Sequence, residues 1–129
     1  MARTSKTGTS TVTINSETAE VNYEEYAGDT IIFEYGYCDS ETLEPYDLTG
    51  WDAFLEIREN VPNGTLLVRQ DTTNELLELN HDNANGFNIR SLISTDILGV
   101  GTFKWYVVLT DPLGIVNTLV RGKITLGAR

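Results

Sequence analysis

The stretch Pro45 to Asn60, PYDLTGWDAFLEIREN, decides the fold. Asp47-Leu48-Thr49-Gly50 has turn chemistry, and behind it Trp51, Ala53, Leu55 and Ile57 are apolar at every second position. That period puts alternate side chains on one buried face of a strand. A helix competes for the same residues: Trp51, Phe54, Leu55 and Arg58 also fit a helical stripe, and Ala, Leu and Glu favour helix. Length arbitrates. Gly50 on one side and Pro62-Asn63-Gly64 on the other leave room for a strand and little for a stable helix. In the strand reading Gly50 allows the turn, Asp47 bonds its backbone, and Trp51, Leu55 and Ile57 enter the core.

The surrounding chain has strand composition, rich in Thr and in β-branched and aromatic residues. Its 129 residues suit one domain that buries a core without disulfides or metal, and the single Cys38 permits no internal disulfide. No run approaches a membrane span, and MARTSKTGTSTVTINS has basic residues without the apolar centre of a secretory signal. Synthesis in a reducing cytoplasm is therefore expected.

The net charge of −10 is unevenly placed. Between Lys6 and Arg58 there is no Lys or Arg, while acids run from Glu17 to Glu56; from Asn60 onward the two signs balance. Such a chain should repel phosphate backbones, so nucleic acid is not an expected partner. A solvated acidic face and an acidic surface that steers a basic partner are both compatible with this run.

Short strands are expected in TVTI (Val12, Ile14) and EVNY (Val21, Tyr23). In AGDTIIFEYGYCD, Ile31, Phe33, Tyr35 and Tyr37 share a face. TLLVRQ and GFNIR read as strands, NELLELN as strand or helix, DNANG as a turn, and STDILG as a helical turn capped by Ser94 or Thr95. Near the C-terminus Phe103, Trp105, Val107 and Leu109 alternate up to DPLG, where Pro112 presets φ and Gly114 is free to take positive φ. The return strand then places Val116, Thr118, Val120, Gly122, Ile124 and Leu126 on one face. An all-β antiparallel sandwich of about seven strands is expected from residues 28–129, preceded over residues 1–27 by an extended N-terminal arm with the first short strands. Residues 1–10 are polar and basic and cannot form a core; they make either a loose tail or an arm laid on a neighbour.

GDTIIFEY, EPYDLTGWDAFLEIRE, GTFKWYVVLTDPLG and RGKITL, in this order, resemble a small immunoglobulin-like domain of tailed-bacteriophage virions. The pattern is similar to the N-terminal domain of baseplate upper proteins and covers about Gly28 to Leu126. The resemblance implies an immunoglobulin-like sandwich and a non-enzymatic virion protein, made in the bacterial host cytoplasm and working by contacts with its own copies and other virion proteins. A baseplate upper protein continues into a receptor-binding-protein docking region beyond this pattern, so a stand-alone attachment domain is expected. Tail or baseplate is the first position implied; capsid decoration on the major capsid protein is the alternative, and a carbohydrate-binding adhesive module a more distant one. Under the first reading Arg3, Lys6, Val12, Ile14, Tyr23, Tyr26 and Tyr46 are the candidate partner contacts. Asp47, Gly50, Trp51, Leu55, Ile57, Phe103, Trp105, Pro112 and Gly114 are core and turn residues.

No catalytic, cofactor or metal motif emerges. His81 sits beside a turn without a nucleophile motif, and Cys38 beside Asp39 and Glu41 lacks a cation to activate it. HDNANG begins like a calcium loop, but has His81 at the first position and Leu92 where Glu is required. Asp39, Glu41, Glu44 and Asp47 remain a possible set of Ca²⁺ ligands without a spacing rule to select them.

Overall fold

The computed structural model describes residues 9–14, 18–39 and 41–129; of residues 9–14 it describes the backbone. It is an all-β sandwich without an α-helix among the described residues. Among the described residues ten strands follow one another: β1 (Thr9–Ile14), β2 (Ala19–Glu20), β3 (Tyr23–Tyr26), β4 (Thr30–Tyr37), β5 (Asp52–Glu59), β6 (Leu66–Asp71), β7 (Leu77–Asp82), β8 (Phe87–Ser94), β9 (Gly101–Thr110) and β10 (Val116–Gly127). One sheet has the order β1-β4-β8-β7; the other runs β2-β10-β9-β5-β6, with β3 also on β10. The seven strands from β4 to β10 pair antiparallel. Of these, β4, β8 and β7 belong to one sheet and β10, β9, β5 and β6 to the other, so the chain changes sheet between β4 and β5, between β6 and β7 and between β8 and β9.

The N-terminal segment joins this body by parallel pairing. β1 lies along β4, and β2 and β3 lie end to end along β10. Ala19, Val21 and Tyr23 are part of the core. Between β2 and β3 the chain presses onto β10 so closely that a Cβ on Gly122 would stand 1.7 Å from the Val21 carbonyl oxygen. That oxygen accepts the Trp105 indole N–H at 3.0 Å. Buried Trp105 also packs against Tyr23 (centroids 5.5 Å apart) and edge-on against Phe33 (5.4 Å). The apolar alternation of the two hairpin strands and β4 thus meets at one indole whose polar atom is satisfied from the N-terminal segment.

The expected strand faces appear with local corrections. Ala53, Leu55 and Ile57 are buried, while Trp51 lies half-buried at the rim against Tyr37. In β10 the register slips between Thr118 and Val120, so Leu119 and Val120 are both buried and Val116 is exposed. A bulge shifts alternation by one residue, and strict period two cannot foresee it. NELLELN resolves into a turn and a strand. STDILG forms a turn closed by Leu98 N–H to Thr95 O at 3.0 Å, without a helical turn. The Thr95 hydroxyl instead donates to Asp29 O (2.7 Å) and accepts from Gly28 N–H (2.9 Å), pinning the turn before β4.

Candidate interaction face

The outward face of the β10-β9-β5-β6 sheet is set by the same alternation that fills the core. With Trp105, Leu55 and Ile57 inward, Lys104, Tyr106, Glu56 and Arg58 point outward. Cross-strand register aligns them into rows. Lys123, Lys104 and Arg58 stand side by side on β10, β9 and β5. The next row is Arg121, Tyr106, Glu56 and Arg69. Five of the chain's nine Lys and Arg residues therefore share one face of an acidic protein.

On the β5–β6 side the charges are neutralised. The largely buried Glu56 carboxylate accepts from the Tyr106 hydroxyl at 2.7 Å and from Arg58 at 3.1 Å on Oε1, and from Arg69 at 2.5 Å on Oε2. Arg58 also donates to the Tyr106 oxygen at 2.7 Å and to Gly64 O at 3.1 Å. Arg69 covers the Phe54 ring 4.4 Å from its centroid and bonds Asp71 at 3.2 Å. Burial is the largest single influence on the Glu56 carboxyl and pushes its pKa up. The bonds from Tyr106, Arg69 and Arg58, with the Arg58 charge, together outweigh burial and hold it below the usual carboxylate range. A carboxylate so saturated supports the sheet and is not poised to exchange a proton.

The β9–β10 side differs. The Lys104 ammonium donates to Val61 O at 2.9 Å. Arg121 and Lys123 are exposed, and among the described residues their side chains have neither a hydrogen bond nor an ion pair. Like charges directly opposite across strands oppose sheet formation, so Lys123 opposite Lys104 works against the fold. A hollow of about 400 Å³ lies over this corner, lined by Lys104, Tyr106, Arg121 and Lys123 with Glu20 and Asn60. A second, of about 450 Å³, continues it over Thr18, Val108 and Thr118 and shares Tyr106 and Arg121.

The residues expected at a partner surface are scattered by the fold. Tyr23 is wholly buried, a correction to its place among the contacts: its ring packs on Trp105 and its hydroxyl lies 3.3 Å from that of Tyr35. In a short strand, alternation tells that Tyr23 and Glu24 face opposite ways but not which way is in. Tyr26 is 52% exposed on β3, whereas Tyr46 is half-buried against Tyr37 at the other end of the sandwich. The Val12 and Ile14 backbones pair with Tyr35 and Tyr37; Arg3 and Lys6 lie outside the described residues.

The turn residues are where the motifs place them. Asp47 accepts from the Thr49 N–H (3.0 Å) and hydroxyl (2.7 Å), Gly50 has φ +83° and Gly114 φ +87°. The two motif turns meet, since a Cβ on Gly50 would lie 3.6 Å from Pro112. Phe103 packs at the core margin. Asn88 was not singled out by its sequence context, yet it is fully buried and ties Tyr37 and Tyr46 through both ends of its amide. Asp39 turns inward on its loop, accepting from Glu41 and Thr42 N–H at 2.8 and 3.0 Å. Among the described residues no three acidic, His or Cys side chains are grouped to hold a metal ion. His81 pairs with Glu78 at 2.8 Å, and burial raises the pKa of the Cys38 thiol, with the Asp39 charge adding to it. No family model matches the chain, and no curated protein matches it as a relative.

Proposed function

We propose that the protein is a non-enzymatic structural component of a tailed-phage virion, working at the tail or baseplate through contacts with its own copies and neighbouring proteins. The observation that carries contact as its work is the outward face of β9 and β10. There Lys123 stands opposite Lys104, and the Arg121 and Lys123 side chains have no partner among the described residues, beside a shallow hollow. Local arrangements that give up stability in this way are expected at functional sites, which favours a contact role for this face. The virion setting rests on the resemblance of the four motifs.

Copy number per purified phage particle, measured by quantitative mass spectrometry, tests the reading. A small multiple of three or six is expected, because tail and baseplate rings close with cyclic symmetry. A count on the order of hundreds would move the protein to the capsid surface, where icosahedral symmetry sets the number. Absence from the particle would overturn the virion role.

A further inference from the structure

The end of the sandwich opposite Lys104 carries the other sign. It is formed by loop residues 38–39, 41–51, 83–86 and 111–115, held together by several contacts. Asp52 pairs with Thr110 and Thr110 with Val116, Leu48 N–H bonds the Asn80 side chain at 2.8 Å, and Gly50 lies against Pro112. These loops contain Asp39, Glu41, Glu44, Asp47 and Asp111 and no Lys or Arg. Asp39, Asp47 and Asp111 cap their own backbones. Glu41 and Glu44 are exposed, and among the described residues their carboxylates have no partner.

Exposed aliphatic side chains stand at the same end. Leu113, at the tip of the β9–β10 hairpin, is 86% exposed, Leu43 63%, Val116 62% and Ile115 55%. An end of the sandwich with exposed aliphatic and acidic side chains is opposite in charge to a hollow lined by Lys104, Arg121 and Lys123 with the single acid Glu20.

We propose that the loop end of one copy docks on the β9–β10 hollow of the next copy. Leu113 and its apolar neighbours enter the hollow, and Glu41 and Glu44 meet Lys104, Arg121 and Lys123. The two patches differ, so the contact is heterologous: repeated, it builds a ring if its rotation closes and a filament if it does not. This inference rests on the proposed role in subunit assembly and names the surfaces that would carry it. Each copy carries −10, so low salt holds copies apart. At about 0.15 M salt, with a Debye length of about 8 Å, that repulsion is screened while ion pairs in contact persist.

Sedimentation velocity of the full chain at this ionic strength is the test. Wild type should form concentration-dependent oligomers. A face variant, Arg121→Gln with Lys123→Gln, and a tip variant, Leu113→Asp, should each raise the dissociation constant about tenfold or more. Each variant keeps one good patch, so an equimolar mixture should form a 1:1 dimer that does not grow. Thermal transitions close to wild type would show that both variants are folded. A wild type that stays monomeric, variants that assemble like wild type, or a mixture that remains monomeric would overturn the proposal. Wild-type oligomers indifferent to both variants would remove these surfaces while leaving subunit assembly in place. Absence from the virion would strike the proposed function and leave the sedimentation result unchanged.

Discussion

Two halves of one sheet face handle charge in opposite ways. On β5 and β6, Arg58 and Arg69 converge on Glu56, and Tyr106 completes its shell. Among the described residues, on β9 and β10 Lys104 has only a backbone carbonyl partner, and the Arg121 and Lys123 side chains have none. The halves share the sheet, the register and even Tyr106, so backbone geometry does not account for the difference. The placement of a single carboxylate does. Where Glu56 is supplied the cations knit strands together; among the described residues no acid pairs with Arg121 or Lys123.

The largest expected effect comes from breaking the platform under the unpaired half. Gly122→Ala drives a Cβ into the Val21 backbone and displaces the acceptor of the Trp105 indole N–H. Urea unfolding should show a loss of about 3 kcal/mol or outright failure to fold. Next comes the neutralised half: Glu56→Gln leaves Arg58 and Arg69 without their anion. Both guanidinium groups can turn toward water, which reduces the cost to about 2 kcal/mol by the same measurement.

The pH dependence of stability isolates the same carboxylate. The folded Glu56 pKa lies below its unfolded value, so its contribution is present above about pH 4.3 and is lost as pH falls through the folded value. Wild type should therefore shed stability more steeply than Glu56→Gln in unfolding titrations carried below pH 5. An equal slope in the two proteins would remove Glu56 from its supporting role. The smallest effect has the opposite sign: Lys123→Gln relieves repulsion with Lys104 and should stabilise the chain by about 0.3 kcal/mol. Destabilisation by this change would mean that Lys123 has an internal partner and that the two halves are alike.

Much of the fold follows from local chemistry. The alternation in Ala53–Ile57 and Phe103–Leu109, and turns made by Gly50 and Gly114, need no distant information; both positions take the positive φ expected of glycine. The corrections fall where neighbours several strands away choose the outcome. Tyr23 goes inward because Trp105 and Tyr35 wait there, Thr95 bonds Asp29 rather than capping a helix, and the β10 bulge moves Val116 to the surface. The interaction face shows the same division. The charge asymmetry between Lys6 and Arg58 can be read directly, but the gathering of Arg58, Arg69, Lys104, Arg121 and Lys123 cannot, because they are spread over β5, β6, β9 and β10.

The sequence by itself determined the class of architecture, the hairpin, the turns and the identity of most core strands. Those depend on side-chain periodicity and on backbone preferences that act over a few residues. Tertiary structure alone decided which edge the N-terminal strands cover, which carboxylate neutralises which arginine, and which cations stay unpaired. Register between distant strands sets these, and register emerges only when both sheets close on one core.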